Sequence, residues 1–279
     1  MIIFVLAIYG LCLGSFVNAL VWRIYEQEKS LKKGKSDTSF KHRLSISKGR
    51  SMCPRCKHGL SALDLIPVIS WLSLGGKCRY CKQPISIQYP IIEVLTAVLF
   101  VLSYVYWPNH FSMGEIAQFV CWLVILVGFI ALAIYDAKWM LLPNRIIHPL
   151  WAVAALTVLI RIASSDKPFT TTVTSLLAVA VGGGVFMALF YISNGKWIGY
   201  GDVRLGWIIG AVVASPGLSL MVIFVASFLG CVFALPAVIS KKLKGSSEIP
   251  FGPFLIVATV VVKLFGIVLL HEYIQLVTS

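Results

Sequence analysis

Two aspartates and two pairs of cysteines are the residues of this 279-residue chain best placed to do chemistry. Asp202 lies in Trp197-Ile198-Gly199-Tyr200-Gly201-Asp202-Val203-Arg204, where one apolar stretch begins, and Asp136 lies in Ile134-Tyr135-Asp136-Ala137, where another ends. A charge at the edge of hydrocarbon costs of order ~2.5 to 3.5 kcal/mol even on a lenient insertion scale, so ionisable residues there mark functional sites. Two carboxylates that meet at a membrane face are the parts of an aspartic hydrolase. One is ionised and takes a proton from water, the other is neutral and polarises a carbonyl, and mutual repulsion enforces the sharing. Asp202 opens its helix, where the macrodipole favours an anion, whereas Asp136 closes its own, so helix ends alone nominate Asp202 as the base and Asp136 as the acid. Gly199 and Gly201, lacking a Cβ, leave room for a substrate backbone and for the chain to turn into the helix; they are the candidate substrate-positioning residues.

The cysteines read differently. Cys53-Pro54-Arg55-Cys56 and Cys78-Arg79-Tyr80-Cys81 form paired Cys-x-x-Cys motifs of the kind that close a tetrahedral four-thiolate zinc site, with no open position for water. Two disulfides and a redox role are the other readings; a reducing compartment disfavours the first, and the lack of a thioredoxin-like pattern the second. His42 and His58 lie nearby but read as loop residues, since four thiolates already complete a ligand set. Cys12, Cys121 and Cys231, scattered on apolar stretches, read as small buried hydrophobes.

The elements that must position these groups are membrane helices. Hydrophobic residues make up 58% of the chain and charged ones 13%, about half the charged share of a soluble domain. Runs of ~20 apolar residues predict about eight spans, at 2–22, 91–107, 116–135, 146–162, 173–192, 203–215, 218–239 and 253–270, of which the sixth is short and the eighth carries Lys263. The expected architecture is an all-α polytopic bundle: a first transmembrane helix at 1–22, a cytoplasmic zinc-knuckle domain at 23–86, and a membrane core at 87–279. Residues 26–50 read as a loosely ordered loop. The segment from Leu60 to Leu72, too short to span, is apolar enough to lie against the bilayer surface or the bundle.

The formal charge of +13 is concentrated in alternate loops. Fourteen lysines and arginines fall between Arg23 and Lys82 and seven in the loops around Asp136, Asp202 and Lys241, against only Arg161 and Lys167 on the other side and Lys263 within a span. The positive-inside rule then puts the N-terminus outside and both aspartates and the zinc loop in the cytoplasm, facing anionic lipid. No basic stripe interleaved with aromatics suggests nucleic acid. Met1–Ala19 lacks a basic start and a cleavage pattern, so it reads as a retained span rather than a signal peptide.

Taken together, these stretches resemble the bacterial type IV prepilin peptidases, membrane aspartic proteases of the Gly-x-Gly-Asp class. The resemblance rests on Gly14-Ser15-Phe16-Val17-Asn18 with Arg23, both cysteine pairs, and Pro84-Ile85-Ser86 with Tyr89-Pro90 and Glu93. It continues through Asp136 with Leu142-Pro143, Gly199-Tyr200-Gly201-Asp202-Val203, and Ile249-Pro250-Phe251-Gly252-Pro253-Phe254. It implies cleavage of the basic leader of type IV prepilins or pseudopilins in the bacterial inner membrane, followed by N-methylation of the new N-terminus with S-adenosylmethionine. It assigns the catalytic aspartates to Asp136 and Asp202, the zinc ligands to Cys53, Cys56, Cys78 and Cys81, and the methyl-transfer region to the membrane-proximal loop, with Glu93 as its candidate residue. Glu93 also reads as a helix-packing residue, and no soluble Rossmann-type fingerprint accompanies it. Asn144 stands where many members carry an acid.

A presenilin-like intramembrane protease shares the Tyr-Asp and Gly-x-Gly-Asp motifs but accounts for neither the cysteine pairs nor the Pro-Phe-Gly-Pro stretch. A proton-coupled transporter also keeps paired acids in the membrane, yet would show symmetry between halves. A purely structural zinc-knuckle protein would use neither aspartate.

Overall fold

A computed structural model describes residues 1–32, 44–46, 49–239 and 249–278. His42 and the Lys241 loop lie outside the described residues. The described residues form helices α1 (Ile2–Lys32), α2 (Ile69–Ser73), α3 (Gln88–Val105), α4 (Met113–Trp139), α5 (Asn144–Ala163), α6 (Pro168–Ile192), α7 (Tyr200–Val213), α8 (Pro216–Ile239) and α9 (Gly252–Thr278), with a 3-10 turn at Ala62–Leu65. They contain no strand, only isolated bridges between Met52 and Gly59 and between Lys77 and Pro84.

The chain forms two compact units, Met1–Val105 and Tyr106–Ser279. In the first, α1 packs along α3 through a small-residue face. A Cβ added at Gly10 would fall 2.5 Å from the Ala97 Cα, and one at Gly14 2.6 Å from the Glu93 Cα. Asn18 ties the same helices: its amide donates to the carbonyl of Tyr89 (3.2 Å) and its oxygen accepts from the Gln88 side chain (3.3 Å). Such a side-chain bond is a polar tie between membrane helices. The boundary between the units falls after α3, because this glycine contact binds α3 to α1, whereas the sequence groups residues 87–105 with the later helices.

Helix α1 also runs beyond its expected end at Trp22, continuing to Lys32 through Glu26, Gln27, Glu28 and Lys29, all good helix formers. The returning chain is gathered onto that extension. The guanidinium of buried Arg23 donates to the carbonyls of Ser45, Ile46 and Gly49, and Gln27 to that of Leu44 (2.6 Å). Residues 26–32 of the stretch expected to be loosely ordered are therefore helical.

In the second unit α4 is the central helix, burying Trp122, Ile125, Leu126, Phe129, Leu132 and Tyr135. Its start is fixed by the Ser112 hydroxyl, which accepts the Glu115 N–H, and its end by Met140 in the left-handed conformation. Helix α9 packs against both α4 and α7, and α7 is held between α5 and α6.

Among the described residues, seven helices are long and apolar enough to cross a membrane, one fewer than expected. The difference is α7, whose 14 residues reach about 21 Å at 1.5 Å per residue, against ~30 Å of hydrocarbon. A helix ending at depth leaves carbonyls without water to bind them. Here the Arg161 guanidinium donates to the Ala211 carbonyl (3.2 Å) and the Lys263 ammonium to that of Val212 (3.3 Å). Lys263, an anomaly in an apolar span by sequence, is a cap for a neighbouring helix.

Gly206 and Gly210 bring α7 against α6: an added Cβ would meet the Gly182 carbonyl oxygen at 2.5 Å and the Ala178 carbonyl oxygen at 2.4 Å, respectively. These are backbone atoms that cannot rotate away. Gly206→Val should therefore lower stability by about 1–3 kcal/mol through overpacking, read as a lower thermal midpoint in detergent. Gly184→Ala, where an added Cβ meets nothing within 4 Å, should leave the midpoint unchanged.

Candidate active site and metal centre

Asp136 occupies the last turn of α4 and is buried, with 6% of its surface exposed. Its Oδ2 accepts the N–H of Gly252, the first residue of α9, at 3.1 Å. Glycine is required there for space, since a Cβ at Gly252 would sit 2.7 Å from that oxygen. Asp202 is the third residue of α7, half-buried, with its carboxylate reaching back to the backbone of Gly199 and within electrostatic reach of Asp136. The structure thus brings together two carboxylates that lie far apart in sequence, on helices bridged by α9.

Asp136 lies at the negative end of α4, but it also caps the N-terminus of α9, so helix ends no longer separate an acid from a base. The glycines differ as well. Gly199 is the N-cap of α7 with φ −72, a conformation open to any residue, and an added Cβ would make only ordinary contacts, with the Asp202 Oδ2 at 3.5 Å and the Gly201 nitrogen at 3.9 Å. Gly201 packs closely on Leu142, its Cβ position falling 3.0 Å from the Leu142 Cδ1. The sequence did not single out the tie between Arg204 and Asn144, whose side chains hydrogen-bond and join the starts of α7 and α5. The Trp151 indole donates to the Arg204 carbonyl (3.1 Å) beside it.

Glu93 is buried on α3, and its Oε2 accepts the N–H of Val68 at 2.7 Å while Ser15 hydrogen-bonds the same carboxylate. Val68 has φ +61, a left-handed backbone in which a β-branched residue is strained. This is the hydrogen-bonded packing environment anticipated as the second reading of Glu93.

The cysteine pairs form matching knuckles. In each, the first cysteine's carbonyl accepts the N–H of a lysine four residues on (Lys57 and Lys82, both 2.9 Å), and that lysine adopts a left-handed φ. The Cys53 N–H donates to His58 and the Cys78 N–H to Gln83, completing each turn. All four sulfurs lie within 4.8 Å of one another, with Cys53 and Cys81 3.9 Å apart. A tetrahedral zinc with bonds of about 2.3 Å needs sulfurs about 3.8 Å apart, so the donor set fits. Burial pushes the Cys53 thiol up to about 11; at Cys78 burial acts the same way but hydrogen bonds from the Cys81 and Tyr80 backbone outweigh it, leaving that thiol at about 7. His58 stacks on Tyr80 at 3.8 Å, outside the ligand set. Asp64 joins the second knuckle to the 3-10 turn, accepting from Arg79 (2.7 Å) and Ser61 (2.8 Å). Burial raises Asp64, yet these bonds outweigh it and hold the carboxyl at about 2, so it stays anionic.

Residues 8–107 match the family model of the bacterial peptidase A24 N-terminal domain, and residues 123–235 that of the type IV leader peptidase family. The chain is 30% identical to a prepilin leader peptidase/N-methyltransferase of Aeromonas salmonicida, over 93% of this chain and 89% of that protein. It is likewise 30% identical to one of Dichelobacter nodosus, over 95% and 92%. Against a type 4 prepilin-like proteins leader peptide-processing enzyme of Escherichia coli it is 32% identical, over 88% and 87%. No solved structure matches the chain. Matches that run through both units, at this identity, mean that the chain belongs to the type IV leader peptidase family.

Proposed function

We propose that this chain cleaves the basic leader from type IV prepilins or pseudopilins with Asp136 and Asp202, and then N-methylates the new N-terminus. The observation that carries the reading is two interacting carboxylates from separate helices in a chain of this family. One carboxylate, ionised, takes a proton from the attacking water; the other, protonated, polarises the scissile carbonyl and gives its proton onward as the amine leaves. The Gly252 N–H orients Asp136, and the open surface at Gly199 leaves room for an extended substrate backbone beside Asp202. Broken helices at this depth are tolerated where they line a wet cavity, as hydrolysis requires. The presenilin-like and transporter readings are not favoured, since neither accounts for the match across residues 8–107.

The same reading places the zinc loop and the aspartates on the cytoplasmic face of the inner membrane and the N-terminus outside, as the distribution of cations supports. Cys53, Cys56, Cys78 and Cys81 would hold a structural zinc, closing the loop of the first unit and leaving no position for water. Methyl transfer, with S-adenosylmethionine as the donor the resemblance implies, rests on the names of the relatives. Glu93, engaged by Val68 and Ser15, would order the membrane-proximal region in which methyl transfer takes place.

Asparagine at either aspartate keeps an oxygen for the helix cap and removes the acid. Asp136→Asn and Asp202→Asn should each lower cleavage of a co-expressed prepilin by at least about a thousandfold with the fold retained. Mass spectrometry of the prepilin N-terminus beside a melting curve checks this, and leader removal by both variants at the wild-type rate would end the reading. For the metal, elemental analysis should find about one zinc per chain in the wild type. Cys53→Ser or Cys78→Ser should remove it and deprotect the amides of residues 51–84 to hydrogen exchange.

A further inference from the structure

Between the two knuckles, the segment from Ser61 to Leu72 turns apolar side chains outward. Leu63, Ile69 and Leu72 are 66%, 64% and 64% exposed. Nothing in a free-standing loop would keep them there, because bending inward would bury them. The segment is instead pinned. The strained Val68 N–H is held by Glu93, and the Trp71 indole donates to the Ile85 carbonyl at 3.2 Å. Gly76 lets the chain close beneath the Trp71 ring, where a Cβ would come within 2.9 Å.

The pin also sets a depth. Glu93 lies five residues after Gln88, where the span α3 begins, which is about 7.5 Å along the helix axis. Val68 is hydrogen-bonded to it, so the segment lies beside the second turn of α3. Around it the knuckles present Arg55, Lys57, Lys77, Arg79 and Lys82, all exposed. Asp64 is the only acid between Leu44 and Ile87, and it is committed to Arg79.

We propose that the Leu63–Leu72 segment is a membrane-seated wedge: its apolar side chains enter the headgroup–acyl boundary of an anionic leaflet, the basic knuckles bind the headgroups, and Glu93 fixes its depth. Amphipathic segments with apolar residues on one side and lysine or arginine on the other bind membranes in this way. The charge pattern favours lipid over the substrate, since a basic leader would be repelled by the same cations. Glu93 is on this account a positioning residue. The proposal is independent of the aspartates and stands or falls separately from the peptidase reading.

The test uses the full chain in nanodiscs of phosphatidylglycerol or phosphatidylcholine, with p-benzoylphenylalanine installed at Ile69 and, as a control, at exposed Gln83. Irradiation and mass spectrometry should find phospholipid adducts at position 69 and none at 83. Labelling of phosphatidylglycerol should fall by about fivefold for each of Lys57, Lys77 and Lys82 changed to Gln. Glu93→Gln, which keeps an acceptor for Val68, should retain the lipid labelling, whereas Glu93→Ala should lose it. Adducts mainly to a co-reconstituted prepilin or to the chain itself, or no adduct, would overturn the proposal. Should the probe disturb folding, hydrogen exchange of the unmodified chain decides: amides of residues 60–75 should be better protected in phosphatidylglycerol than in phosphatidylcholine, and equal protection would overturn it.

Discussion

A backbone group inside hydrocarbon has no water to turn to, and leaving one unpaired costs several kcal/mol. That constraint accounts for five ionisable residues of the helices. Asp136 answers the N–H of Gly252, Asp202 the backbone of Gly199, and Glu93 the N–H of Val68. Arg161 and Lys263 answer the carbonyls of Ala211 and Val212. Each stands where a helix starts, stops or is forced out of regular geometry. Carboxylates meet N–H groups and cations meet carbonyls, the pairing that free helix ends demand.

The short helix α7 follows from the same constraint. It can stop within the membrane because two cations close its far end, while its near end carries Asp202. A full-length span would have no need of Arg161 or Lys263. The close approach of α7 to α6 at Gly206 and Gly210 gives the short helix the packing that its length alone does not supply. Capping also bears on chemistry. Both aspartates accept backbone N–H groups, so their difference lies in access: Asp136 is buried against α9, and Asp202 is more open at the first turn of α7.

Much of this was legible in the sequence, because composition and span length act over many residues at once. The all-helical architecture, the spans and the four-thiolate cluster follow from patterns that few other folds satisfy. What was not legible depends on partners distant in the chain. Lys263 reads as an anomaly until the Val212 carbonyl is found beside it. Gly206 and Gly210 are spaced to meet another helix, but only the Gly182 and Ala178 carbonyls say which one. Helix ends assigned a base and an acid because the sequence shows the end of α4 and cannot show the start of α9 lying against it. The length of α1 is hidden for a different reason: polar residues from Glu26 onward read as a loop, although glutamate, glutamine and lysine are strong helix formers and Arg23 collects the returning chain.

The knuckles show how a polar loop can hold apolar side chains outward. Ligands on either side of residues 57–77 fix the two ends of that stretch once an ion closes the thiolates, and Glu93 and Trp71 hold its middle. With ends and middle fixed, the segment cannot collapse to bury Leu63, Ile69 and Leu72, and the strain at Val68 persists because its surroundings over-determine it. A metal held by these four thiolates would thus decide what the loop presents to its surroundings. The buried carboxylate of Glu93 joins that loop to a membrane helix, the same service that Asp136 performs for α9 in the other unit.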